Sequence, residues 1–447
     1  MSPAAGVEVP LLPKSKAEPE KRASISGAVF NVATSIMGAG IMSIPATFKV
    51  LGVIPALALI LLVAWLVDIS VEFMLRHTHS GEATTYGGLM REAFGPAGSL
   101  AVQICVLLTN IGCLIIYLII IGDVLSGDES TVGSIQEWLG VHWWDSRAFT
   151  LLFILIFVMF PLVMFRRIES LSYSSAVSTM FAMVFVGICS VMAIYALIEG
   201  KTKDVRLLPS LDKQTSFFDL FTAVPVIVSA YTFHFNVHPI SNELGKPSNM
   251  TSAVRIALGI CAAVYSAVGI FGYLLFGESI MPDLLVNFNR SSDTAIGALL
   301  NDVIRFTYVF HIVLVFPLLN FPLRANIDEF LFPNKSPLEK DTPRFVAITV
   351  VILAFSYTAS ITIPNIWYFF QFLGSTSAIS LVFIFPGAIA LRDVHGISTK
   401  RDKVIGGIMI ILAVITSIIA ISSNIYSLTG NKSKSLGLMA ARFCRDI

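Results

Sequence analysis

The chain has 447 residues, 55% hydrophobic and 13% charged, with a formal net charge of +1 and a mean hydropathy of +0.80. Soluble domains carry about 25% charged residues, so this composition leaves too little polar surface for a water-soluble fold. The balanced charge offers no basic surface for nucleic acid. The five cysteines have neither zinc-site nor disulfide spacing: Cys105, Cys113, Cys189 and Cys261 sit in apolar runs, and Cys444 stands alone.

Residues 1–26 are polar, carry Lys14, Lys16, Lys21 and Arg22, and read as a disordered cytosolic tail, because a signal peptide would begin its apolar region sooner. Val9-Pro10-Leu11-Leu12 is similar to a dileucine sorting signal, with Glu8 one residue closer than usual. Residues 27–424 form one transmembrane domain, and 425–447 a short C-terminal tail. A spanning helix needs about 20 mostly apolar residues. Eleven segments qualify, near 27–49, 52–74, 100–122, 148–165, 173–198, 217–240, 252–276, 299–323, 344–362, 365–391 and 404–424. Only Ile363-Pro364 parts the ninth from the tenth, so one kinked helix there, and a total of ten, is the alternative.

Two loops look structured. Thr85 to Phe94 mixes aromatic, Met and charged residues as a short interfacial helix does. Asp123 to Asp145 is acidic and carries Trp143 and Trp144, suited to the headgroup belt. With the N-terminus inside, 18 Lys and Arg fall on the inner side and 11 on the outer side. That bias predicts a cytosolic N-terminus and puts the sequons at Asn289 and Asn431 outside, those at Asn249 and Asn334 inside. Arg305 falls within a span, and Arg166-Arg167 marks the cytosolic end of the fourth. His77 and His79 read as solvated loop residues. Asp68 and Glu72, four apart on one helix face, read as cytosolic interface residues.

Two spans carry the signs of interruption. The first contains Thr34 followed by Met37-Gly38-Ala39-Gly40, with Pro45 five residues later. Each of its two glycines weakens a helix by roughly 1 kcal/mol. Backbone freed in mid-membrane is tolerated only where it lines a cavity or binds something, and N–H groups opening a half-helix suit a carboxylate. A small-residue packing face is the alternative. The sixth span turns polar and aromatic at Tyr231-Thr232-Phe233-His234, with Pro239 five residues after His234; a surface aromatic belt is the alternative there. Breaks in spans one and six are what two inverted five-helix repeats produce when discontinuous helices hold substrate at the midplane. Thr34, Met37, Gly38, Ala39, Gly40, Tyr231, Thr232 and His234 are therefore the substrate-site candidates. Polar residues elsewhere stay open: Thr109 and Asn110 line a cavity or bond a neighbouring helix, and Ser375 to Ser377 beside Gly374 make a gate or a kink.

Phe30-Asn31 with Met37 to Ile41 resembles the first-helix signature of the amino acid/auxin permease superfamily. Tyr117 to Asp123, His234 with Pro239-Ile240 and Glu243-Leu244, and Pro317 with Phe321-Pro322-Leu323-Arg324 extend the likeness in order over residues 26–325. It is most similar to the sodium-coupled neutral amino acid transporters and to the plant and yeast vacuolar amino acid transporters. The resemblance implies an all-α polytopic membrane protein with a LeuT-like inverted repeat of 5+5 helices plus an eleventh. It also implies secondary transport of neutral or acidic amino acids and an endomembrane, with the vacuole favoured and the plasma membrane as the alternative. Where sodium-coupled relatives place an ion-associated asparagine this chain has Thr34, and before Pro317 it reads Val313-Leu314-Val315. Valine offers no oxygen to a hard cation, so the sodium site is expected to be absent. A proton gradient is then the driving force, with no cofactor or bound metal, and His234 and His311 are the proton-coupling candidates because histidine titrates near about 6.5. The expected partners are the amino acid and membrane lipids. An amino-acid sensor with little transport is the alternative function; enzyme signatures such as HExxH or a Walker A loop are not found.

Overall fold

The computed structural model describes residues 24–127, 133–165, 172–210, 217–244, 246–288, 295–332, 335–336, 338–363 and 366–443. The dileucine-like segment, Arg166-Arg167, the Asn289 and Asn334 sequons, Pro364 and Cys444 lie outside these residues.

Regular structure among the described residues is helical because a backbone in lipid must satisfy its own hydrogen bonds. The first span is a bent pair, α1 (Ile25–Ile36) and α2 (Gly40–Leu51), whose axes turn by 56°. Ser24 caps it, its Oγ accepting from the Gly27 N–H at 3.1 Å. α3 (Val53–Ser80) follows, then α4 (Tyr86–Ser126). Gly95, at φ 71°, separates an interfacial stretch from the spanning part of α4, as the Thr85 to Phe94 pattern predicts. The acidic loop holds α5 (Ser134–Leu139) and a 3₁₀ turn with exposed Trp143. α6 (Arg147–Val163) and α7 (Ser172–Ile198) complete the first five spans.

The second half repeats that plan. Its first span is again two pieces, α8 (Ala223–Ala230) and α9 (His234–Glu243), followed by α10 (Met250–Phe276), α11 (Ala295–Leu331), α12 (Thr342–Thr362) and α13 (Ile366–Arg392). α14 (Lys400–Phe443) runs beyond the apolar limit near 424. Among the described residues nine helices are long and apolar enough to cross a membrane, ten with the bent pair α1–α2 as one span, and α6 is a shorter apolar helix; the junction between α12 and α13 at Pro364 lies outside the described residues. The third spans of the two halves, α4 with 41 residues and α11 with 37, are the longest before α14 and pack against each other. Outward faces of α3, α7 and α14 are apolar and exposed, including Leu61, Trp65, Val191 and Ile411, which is the pattern of a lipid-facing surface.

His77 departs from expectation. It lies in the last turn of α3, buried, with Nδ1 2.8 Å from the Phe73 carbonyl. The loop after α13 covers it, and Ser398 Oγ lies 3.4 Å from its Nε2. His79 is exposed as expected. Asp68 and Glu72 jointly bind Arg255 of α10. Arg305 bonds Asp302 and Glu137, near the start of its span.

Candidate functional site

Met37, Gly38 and Ala39 separate α1 from α2, with Met37 at φ −74°, ψ 61°. Tyr231, Thr232 and Phe233 separate α8 from α9, with Phe233 at φ −138°, ψ 8°. Both breaks end six residues before a proline, Pro45 in α2 and Pro239 in α9, which takes one N–H from the ladder and leaves Ile41 O and Phe235 O in the first turn of each second half-helix without that bond. The breaks touch. A Cβ on Gly40 would stand 2.6 Å from the Ala230 Cβ and 2.7 Å from its Cα, so the packing role considered for these small residues holds for Gly40. A Cβ on Gly38 would meet the Tyr117 hydroxyl at 2.3 Å.

Breaking a helix frees carbonyls at its C-terminal end and N–H groups at the next N-terminal end. The carbonyls are met by buried side chains. Tyr265 Oη of α10 lies 2.7 Å from Ile36 O and 2.8 Å from Ala230 O, bringing together the last carbonyls of α1 and α8. Tyr308 Oη donates to Gly38 O at 2.6 Å, and His311 Nε2 lies 2.5 Å from Met37 O, both from α11. Tyr117 of α4 meets the break differently, its Oη accepting from the Ala39 N–H. The N-terminal ends differ, since neither α2 nor α9 has a side-chain cap bond; Ala39 and Phe233 occupy the cap positions.

Several buried polar atoms here have no partner among the described residues: Tyr231 Oη, His234 Nδ1 and both side-chain atoms of Asn110. Such groups cost about 1–3 kcal/mol each unless a ligand or water meets them. His234 is otherwise held by Nε2, 2.7 Å from Ser70 Oγ, which itself donates to Val67 O. Thr232 donates to Val228 O. Thr34 points elsewhere: its Oγ1 lies 2.7 Å from Thr179 Oγ1 and donates to Ser175 O at 3.1 Å, both on α7. The structure thus groups Met37 to Gly40 with Tyr231 to His234 and sets Thr34 against α7. His311 joins the first break from behind, its Nδ1 2.8 Å from Ser178 Oγ. Thr109 donates to Ser377 at 2.8 Å, the neighbouring-helix reading, and Ser375 to Ser377 lie in a wide π turn whose Gly374 lies against the Pro225 carbonyl.

Two cavities flank the breaks. One of about 660 Å³ runs along α2, lined by Ala46, Lys49, Arg206, Glu278 and Trp367. The other, about 170 Å³, runs along α9, lined by Tyr86, Asn236, His238 and Glu329. α2 leads into the loop after the first crossing and α9 into the loop after the sixth, so the cavities face opposite membrane sides. Between them Met37, Tyr231 and His234 are buried. In the first cavity Glu278 accepts from Arg206 at 2.8 and 2.9 Å and holds that guanidinium above its ordinary range.

Tyr117, Tyr265 and Tyr308 were not among the candidates from sequence. The signal available was a tyrosine inside an apolar span, whose hydroxyl needs a partner when buried.

This arrangement, two adjoining discontinuous helices at matching places in two five-helix halves, is that of an inverted-repeat membrane carrier. The profile of the family described as transmembrane amino acid transporter protein matches residues 21–429, and the chain belongs to that family of carriers rather than enzymes. It is 55% identical over 431 residues to amino acid transporter AVT6C of Arabidopsis thaliana, covering 95% of this chain and 99% of that protein. It is 54% identical over 440 residues to AVT6D of the same plant, covering 97% and 100%. Among solved structures, MhsT in complex with L-phenylalanine superposes with a TM-score of 0.60 at 14% identity, covering 91% of this chain and 100% of that one. A manganese transporter of Eremococcus coleocola gives 0.53 at 13%, covering 93% and 90%. These two likenesses fix the fold, a LeuT-like inverted repeat with an added helix.

Proposed function

We propose that this amino acid transporter is driven by protons rather than sodium and carries neutral or acidic amino acids, with the zwitterion held between the two breaks. The observation that carries the reading is the pairing of the breaks: carbonyl ends Ile36 and Ala230 share one tyrosine hydroxyl, while the N-terminal ends of α2 and α9 stand without side-chain caps. Helix C-termini favour an ammonium and helix N-termini a carboxylate, so the two ends supply what an α-amino acid needs. Met37, Gly38, Ala39 and Gly40 frame the carboxylate; Tyr231, Thr232 and His234 frame the rest, with Tyr117 closing one side.

Sodium is disfavoured by the chemistry of the α1–α11 contact. Thr34 Oγ1 is engaged by Ser175 O and Thr179, Met37 O by His311, and α11 offers only Val313, Leu314 and Val315 before Pro317. We place the N-terminus in the cytosol and the protein in an endomembrane, the vacuole first, on the loop-charge bias and the earlier family resemblance. Protease protection of a tagged N-terminus tests the first point.

The test of function is uptake into proteoliposomes with an imposed pH gradient, with and without sodium, across neutral and acidic amino acids. Accumulation that follows the pH gradient and ignores sodium is expected. Accumulation that needs sodium and ignores the pH gradient refutes the coupling. Binding without counterflow would identify a sensor instead.

A further inference from the structure

We propose that His311 carries the coupled proton, and that its imidazolium ties the first break to α7 while the bound carboxylate offsets its charge. The inference rests on the proton-driven reading above and assigns the residue and linkage that the reading leaves open.

The argument begins with hydrogen-bond supply. A neutral imidazole has one N–H, an imidazolium two. His311 is fully buried, and each ring nitrogen faces a backbone carbonyl: Nε2 lies 2.5 Å from Met37 O and Nδ1 2.8 Å from Ser178 O. Neutral His311 can donate to only one of them. With Nε2–H given to Met37 O, Nδ1 accepts from Ser178 Oγ at 2.8 Å while its lone pair opposes the Ser178 carbonyl. In the charged ring, Nδ1–H donates to Ser178 O, and the Ser178 hydroxyl is released to donate to His311 O at 3.2 Å. Every acceptor is then served. Met37 is the first residue of the break and Ser178 lies about two turns into α7, so α1 and α7 meet on one ring of α11, and the proton decides whether that ring holds α7 by the Ser178 hydroxyl or by the Ser178 carbonyl.

The cost is an unpaired buried charge. The titratable group against His311 is Tyr308 on its own helix, with ring centroids 5.1 Å apart; Tyr117 on α4 acts on Tyr308, and Tyr265 on α10 lies next along, interacting with Tyr308 and with Cys261. α1 contributes Thr34 and α7 contributes Ser174, Ser175, Ser178 and Thr179. Asp283 acts electrostatically on Tyr308, but among the described residues no charged side chain acts on His311. The missing negative charge is what an amino acid carboxylate at the α2 N-terminus supplies, three residues along the chain from Met37. Proton and carboxylate therefore favour each other's binding, which by linkage makes them travel together. When substrate leaves, the imidazolium loses its compensation and gives its proton to the side then open.

The experiment uses full-length protein in proteoliposomes. Half-saturation is measured by counterflow at equal pH on both sides, at about pH 5.5 and about pH 7.5, either side of the ordinary imidazole value near 6.5. Wild type is expected to bind roughly tenfold more tightly at the lower pH, within the 5–150-fold span of coupled sites. His311→Gln keeps one donor for Met37 O but takes no proton. Its remaining exchange should show the same half-saturation at both values, and a pH gradient should no longer concentrate substrate. Gradient-driven accumulation by H311Q overturns the proposal. Ser178→Ala covers the case of a misfolded H311Q. It removes the hydroxyl on which the neutral ring depends and leaves both carbonyls, so half-maximal uptake should move toward alkaline pH; an unmoved midpoint overturns the assignment. If wild type carries amino acid with no response to pH, proton coupling itself fails, a result distinguishable from a wrong residue.

Discussion

Gly40→Ala adds one methyl group where the two broken helices meet. An ordinary carbon–carbon contact is about 3.5–4.0 Å, whereas the new Cβ would sit 2.6 Å from the Ala230 Cβ and 2.7 Å from its Cα. The obstacle includes backbone of α8, so no rotamer change relieves it, and α2 must move away from α8 by about 1 Å. Inserted methyl groups in a packed core cost about 1–3 kcal/mol, and the better helix propensity of alanine returns at most about 1 kcal/mol. The shift also pulls Ile36 O and Ala230 O apart across the single Tyr265 hydroxyl. Geometric slips of this size in a binding site cost up to about a hundredfold in rate, so initial uptake should fall ten- to a hundredfold, with a smaller loss of thermal stability in detergent. Ala230→Gly in the same chain removes one contact but leaves the Cα, so partial rescue is expected. Wild-type uptake and melting by G40A would show that the helices do not meet as described.

Other perturbations separate the remaining elements. Tyr265→Phe removes the donor for two buried carbonyls and should cost about 1–3 kcal/mol, read as a lower melting midpoint with impaired uptake. Arg206→Gln removes an ion pair whose partners are 33% and 53% exposed; stability should change by no more than about 1 kcal/mol, while access to the α2-side cavity, measured by labelling a cysteine placed at Ser210, should rise. Asp393 tests pH dependence: burial opposes its charge, but the Ser398 N–H, the Lys403 ammonium and the Ile397 N–H outweigh that and hold its carboxyl at about 2. A lowered value stabilises the fold fully above the unfolded value, near 3.9, and the contribution disappears as pH falls toward about 2. The melting difference between wild type and Asp393→Asn should therefore be constant above about pH 5 and shrink in stronger acid.

The spans and the places of the two breaks were legible because lipid imposes long apolar runs, and Gly38, Gly40 and the polar turn at Tyr231 to His234 interrupt them. The partners of the freed carbonyls were not. Tyr265, Tyr308 and Tyr117 lie between 35 and 270 residues from the groups they serve, and an isolated tyrosine in a span carries no mark of its target. Thr34 was misdirected for a related reason. One turn before the break it shares the sequence neighbourhood of Met37, yet helical rotation turns it to α7. His77 was read from the polar text around it, Arg76 and His79, when the loop near Ser398, over 300 residues away, decides its burial.

Tyr265 holds one hydroxyl hydrogen between the final carbonyls of two separate half-helices. The hydrogen can be committed to only one of them at a time, so any tilt that lengthens one bond hands it to the other. On the proposed mechanism the two half-helices are thereby kept in step without being joined, and an incoming ammonium, bringing three hydrogens of its own, would end the sharing and free the tyrosine from its choice.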